Sequence, residues 1–155
     1  MSRTRKTVVG VLILILVIQT IQPMRNLSEG LSENDISKTY AISDHVHGIL
    51  KEKCYDCHSD NTRYPWYNYI QPAGWWLSAH IYEGKEHLDF SSFKTYTPKK
   101  AAHKLGELSD AVNEGWMPLE TYIWLHKEAQ ITQADRDSIN AWLKTLPVKI
   151  EVDEK

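Results

Sequence analysis

The chain has 155 residues, 42% hydrophobic and 25% charged, which suits one domain with a modest core plus appendages. Its net charge of −2 is uneven: residues 1–24 hold Arg3, Arg5 and Lys6 and no acid, leaving 15 Lys and Arg against 20 Asp and Glu in the rest, or −5. An acidic body of that kind argues against a nucleic-acid binder, which needs a basic surface.

The first element is an address. Met1–Lys6 is basic, and Val8–Ile18 is an unbroken run of Val, Gly, Leu and Ile, closed by Gln19, Thr20, Ile21, Gln22 and Pro23. A basic start followed by an apolar run is an export signal, and positive residues stay on the cytoplasmic side. Everything after Pro23 is therefore expected outside, facing the periplasm. The run is short for a span of about 20 residues. No small-x-small cleavage site follows it, so residues 1–24 read as a retained signal-anchor, a single-pass transmembrane segment in the cytoplasmic membrane. Residues 25–42 are rich in Ser, Glu, Asn and Asp and read as a polar tether.

The domain is expected over residues 43–146. A first helix runs from Ser43 to Lys53, with Val46, Ile49 and Leu50 on one side, and delivers the chain into Cys54. Residues 60–70 are irregular and aromatic. Pro72 suits the first position of a second helix, whose inner stripe is Ala73, Trp76, Leu77, His80 and Ile81, with Gly84 as its stop. Thr97-Pro98 opens a third helix, apolar at Ala101, Ala102, Leu105, Leu108 and Val112 and ended by Gly115. A capping-box-like Thr132-Gln133-Ala134-Asp135 opens the fourth, which carries Ile139, Trp142, Leu143 and Leu146 before Pro147. Residues 147–155 are a charged tail. No stretch alternates with period two for long enough to make a sheet, so the fold class is all-α.

The two cysteines, Cys54 and Cys57, are three apart and followed at once by His58. By themselves they allow a disulfide, a dithiol, half a zinc site or two thioethers. A zinc site needs four ligands, and neither a second C-x-x-C nor an H-x3-5-H pair is present. A redox dithiol wants a βαβ context, which is missing. C-x-x-C-H has a geometric reason of its own. Two cysteines at this spacing can each bond a vinyl-derived carbon on one edge of a porphyrin, and the turn between them brings His58 beneath the iron as proximal ligand. Such attachment takes place outside the cytoplasmic membrane, in keeping with the export signal.

For the opposite axial position the candidate is Met117, in Trp116-Met117-Pro118 just past the Gly115 stop. His80, on the inner stripe of the second helix, is its rival. His45 and His47 precede the motif on its own helix, and His87, His103 and His126 are expected on solvated faces. Six Trp and eight Tyr bring large apolar faces with a polar handle. Tyr64, Trp66, Trp75, Trp76 and Trp116 are the candidates for the wall of a haem pocket.

The run CYDCHSDNTRYPWYNYIQPAGWWLSAHIYEGKEHLDFS, with KKAAHKLGELSDAVNEGWMPL and TYIWLHKEAQIT, resembles the bacterial haem-binding domain family of small, membrane-linked, cytochrome-c-like proteins. The similarity covers roughly His45 to Leu146. It implies a small helical domain around one covalent haem c, thioether bonds at Cys54 and Cys57, His58 as proximal ligand and Met117 as distal ligand. The expected function is one-electron transfer with an unidentified redox partner protein, with no catalytic residues assigned. The alternative is a haem-based sensor or peroxidase-like enzyme with a displaceable sixth ligand, for which Arg63 and His80 are the available distal residues. A third reading is a zinc-stabilised interaction module on a membrane stalk.

Overall fold

The computed structural model describes residues 2–148, and these form helices, turns and loops with no strand. The all-α expectation holds. Helix α1 spans Arg3–Ile18, capped by the Ser2 hydroxyl, which accepts from the Arg5 amide. None of its residues is buried, and Val8 to Val17 are 40% to 68% exposed. Among the described residues no helix is long and apolar enough to cross a membrane, so the structure does not supply the expected transmembrane span.

Residues 25–42 differ from the tether expected there, because they pack on the domain. Asp35 and Ile36 are fully buried, and Asp35 caps the short helix α2, Ile36–Thr39. Asn26 donates to the Ser59 carbonyl and to the Thr62 hydroxyl, and the Lys94 amide donates to the Asn34 carbonyl. Polar composition suggested a free linker, but these side chains find long-range partners instead.

Helix α3 spans Asp44–Lys53, with Ser43 as cap and Val46, Ile49 and Leu50 buried. One turn of helix, α4, follows over Tyr55–His58. A 3-10 turn at Trp66–Tyr69 leads to α5, Ala73–His87. That helix runs three residues past Gly84, the expected stop. Gly84 is there for contact: a Cβ at that position would lie 2.8 Å from the Cys57 carbonyl oxygen, so α5 crosses α4 with backbone nearly touching backbone.

A second 3-10 turn, Phe90–Thr95, buries both phenylalanines of the chain, Phe90 and Phe93. Helix α6, Pro98–Glu114, has the expected Thr97 cap and ends at Gly115, whose φ of 77° is the left-handed conformation that glycine adopts freely. A single turn, α7, covers Glu120–Ile123. The last helix, α8, spans Gln133–Leu143 behind a complete Thr132/Asp135 capping box and stops short of the Leu146 expected from periodicity. Residues 149–155 of the charged tail lie outside the described residues.

Helices α3, α6 and α8 pack together, and α4 lies against α3 and α5. Leu50, Leu105, Val112 and Ile139, each at most 1% exposed, fill the space between them. Phe90 extends this core to the motif by stacking on Tyr55 at 5.0 Å and meeting His58 edge-on.

Candidate functional site

A cavity of about 610 Å³ opens between α4, α5, α6 and the 116–122 segment, a volume in the range of small-molecule and cofactor sites. Cys54, Cys57, His58, Trp76, Trp116 and Met117 all line it.

The motif is held from both flanks. Cys54 ends α3 with its amide on the Leu50 carbonyl, and the His58 amide closes the next turn on the Cys54 carbonyl. Tyr55, between them, donates from its buried hydroxyl to both carboxylate oxygens of Asp35, at 3.2 and 3.1 Å. His58 Nδ1 lies 2.8 Å from the Leu88 carbonyl. A carbonyl can only accept, so Nδ1 carries the proton and Nε2 keeps a free lone pair. Burial lowers the imidazole's pKa and favours the neutral, ligating ring.

Both thiols are free. Burial pushes Cys54 up to about 12 and Cys57 up to about 11, with each carrying a smaller upward push from a neighbour, Cys57 and Asp56 respectively. A reactive redox dithiol or a thiolate metal site needs the opposite shift. Among the described residues no three His, Cys, Asp or Glu side chains come together in a way that could hold a metal ion.

Asp56 is 7% exposed and anchors the turn from inside. The Arg63 guanidinium grips it through Nε at 3.1 Å and a second nitrogen at 3.0 Å, while the Tyr122 hydroxyl donates to it at 2.8 Å. Burial, followed by the Asp56 charge, raises the pKa of Tyr122 far above its usual value, so it stays a donor. Tyr122 and Asp56 both border the cavity.

Met117 is half-buried in the segment between Gly115 and Pro118, and the Met117–Pro118 peptide is cis. Trp76 and Trp116 are 41% and 49% exposed while lining the cavity, so they form its rim. The other expected pocket aromatics are elsewhere. Tyr64 accepts from the Asn26 amide, Trp75 donates from its indole to the Ile21 carbonyl, and Trp66 is 74% exposed.

His80 does border the cavity, with Nδ1 on the Trp76 carbonyl and its ring 4.2 Å from the Trp76 ring. His87, expected on a solvated face, is exposed but also borders the cavity. His45 meets Ser138, His103 meets Glu107, and His126 lies between Tyr67 and Tyr122.

The sequence does not single out Leu88, Asp35 or Tyr122, and it offers Gly84 only as a helix stop. Gly84 and Asp35 carry no local signal of their long-range partners. Asp56 does, since an acid inside the motif that is followed by an arginine seven residues on suggests an ion pair.

The donor set is one neutral imidazole, one thioether sulfur and two protonated thiols around a mostly apolar cavity, and this fits a flat iron porphyrin. A family model described as a haem-binding domain matches residues 13–145. No curated protein and no solved structure gives a match. With most of its length covered by that model and its donors gathered on one cavity, the chain belongs to the haem-binding domain family, and haem is its cofactor.

Proposed function

We propose that the protein is a one-electron carrier holding haem c through Cys54, Cys57, His58 and Met117, on the outer face of the cytoplasmic membrane. The observation that carries the reading is that His58, with its tautomer set by Leu88, shares one cavity with Met117, Cys54 and Cys57. Bound there, haem supplies a ferric–ferrous couple.

The chain's own residues supply attachment, ligands and shelter. Cys54 and Cys57 would hold the haem through thioethers, each thiol adding S–H across one vinyl C=C with the hydrogen on the neighbouring carbon, which needs no oxidant or reductant. His58 offers Nε2 and Met117 offers its sulfur. Held between these two side chains, the iron would have a higher reduction potential than with two imidazoles. Leu77, Leu108 and Val112 give the cavity apolar walls. The membrane location rests on α1, whose Val8–Ile18 stretch is apolar on every side and buried nowhere against the domain.

A second reading keeps the same attachment but makes the Met117 side displaceable, as in a haem sensor or peroxidase-like enzyme. The half-burial of Met117 favours it, and His80 is the available distal base. Arg63 is not available as the distal arginine, because its guanidinium is engaged by Asp56.

The test is Met117→Ala in the full chain. Electron carriage predicts that the far-red sulfur-to-iron band disappears, that the potential falls, and that the variant gains rapid carbon monoxide binding which the parent lacks. An unchanged band and potential overturn the Met117 assignment, and rapid carbon monoxide binding by the parent favours the second reading. A haem stain that survives a denaturing gel in the parent and is lost in Cys54→Ala/Cys57→Ala checks the covalent attachment.

A further inference from the structure

The segment that joins α1 to the domain is not slack. The Gln71 amide donates to Gln19 Oε1 at 2.8 Å, and Gln19 Nε2 donates back to the Gln71 carbonyl at 3.2 Å. Gln71 Nε2 donates to Gln22 Oε1 at 2.9 Å, and the Trp75 indole donates to the Ile21 carbonyl at 2.8 Å. The C-terminal end of α1 is thus fastened to the start of α5.

Immediately before Gln71, the 66–70 turn turns apolar groups outward. Trp66 is 74% exposed, Tyr69 49% and Ile70 50%, beside Ile21 at 58% and Met24 at 93%. No Asp, Glu, Lys or Arg occurs between residues 64 and 82, in a chain that is 25% charged overall. The Arg25 guanidinium lies 4.8 Å from the centre of the Tyr69 ring, which places a cation at the edge of the patch.

The length of α1 says what covers these groups. Its apolar part, Val8–Ile18, makes only about 16 Å of helix, whereas a bilayer's hydrocarbon layer is about 30 Å thick. A short apolar helix draws its flanking residues into the interface, where Trp and Tyr are favoured and Arg meets anionic headgroups.

We propose that the 66–70 turn is a membrane-seating surface. Trp66, Tyr69 and Ile70, with Ile21 and Met24, enter the outer headgroup layer and hold the haem domain at a set orientation on the bilayer. This rests on α1 being the membrane anchor.

The test places the photo-crosslinking residue benzoylphenylalanine at Trp66, at Tyr69, or at Ala141 on the exposed face of α8, in the full haem-loaded chain. Each form is reconstituted into vesicles of phosphatidylcholine and phosphatidylglycerol and illuminated, and adducts are read by mass spectrometry. Lipid adducts several-fold more abundant at positions 66 and 69 than at 141 are expected. If the parent chain washes off the vesicles in alkaline carbonate, the anchor is refuted and the seating with it. If the chain stays on the vesicles but positions 66 and 69 yield no lipid adducts, or yield adducts to protein, the seating alone is overturned and the anchor stands.

Discussion

Replacing Gly84 by Ala would put a methyl carbon 2.8 Å from the Cys57 carbonyl oxygen and 3.3 Å from its Cβ. Both atoms belong to the motif turn, which is pinned by Asp35, Asp56 and Leu88, so neither can swing aside as a long side chain would. Alanine gains about 1 kcal/mol over glycine in a helix interior. Overpacking against fixed neighbours costs about 1–3 kcal/mol. The expected result is a net loss of about 1 kcal/mol.

Gly48, in the interior of α3, is the matched control, because nothing lies within 4 Å of a Cβ there. Gly48→Ala is expected to gain about 0.5–1 kcal/mol, opposite in sign. Urea unfolding of the haem-loaded proteins, followed by far-ultraviolet circular dichroism, measures both. If Gly84→Ala stabilises the protein as much as Gly48→Ala does, the close crossing of α5 and α4 is not real.

Two further outcomes follow from the polar contacts around the motif. Asp56→Asn weakens the Arg63 fork and the Tyr122 bond together and is expected to cost about 2 kcal/mol by urea unfolding; Arg63 is 61% exposed and rehydrates, which limits the loss. Tyr122→Phe removes one of those bonds and is expected to cost about 1 kcal/mol. Burial, then the Lys51 charge, holds His47 below the usual imidazole range although Asp35 and Asp44 pull the other way. The unfolded chain then binds that proton more readily, so this contribution is intact above about pH 6.5 and declines as pH falls through it. Stability measured from pH 7.5 down to 5.5 should fall less steeply in His47→Gln than in the parent.

What could be read from the sequence was whatever depends on near neighbours. Thr97 and Thr132 cap the helices they were expected to open, and of Ser43 and Asp44, either of which could cap α3, it is Ser43; each bonds an amide three residues on. Gly115 ends α6 because that end needs a positive φ. The motif and Met117 stand out in the sequence because their chemistry is unusual, and what the fold adds is that all of them line one cavity. Gly84 looked like a helix stop because its reason is Cys57, on another helix. Asp35 looked like linker because its partner, the Tyr55 hydroxyl, is 20 residues away. Aromatic content points to a pocket wall, yet nothing local separates Trp76 and Trp116 on the cavity from exposed Trp66 or from Trp75, which bonds Ile21.

The two sides of the cavity differ in how they are built in. On the His58 side, Tyr55, Asp56 and Ser59 are buried and continuous with the main core. On the Met117 side, α7 buries none of its residues, and Trp124 and Leu125 beyond it are 68% and 65% exposed. Backbone amides in the two regions should therefore exchange with deuterium by different routes, those of Cys57 and His58 through global unfolding and those of Tyr122 and Ile123 through local opening. One jaw of the cavity is thus part of the core, and the other is held to it mainly by the Tyr122–Asp56 bond and the Tyr122–His126 stack.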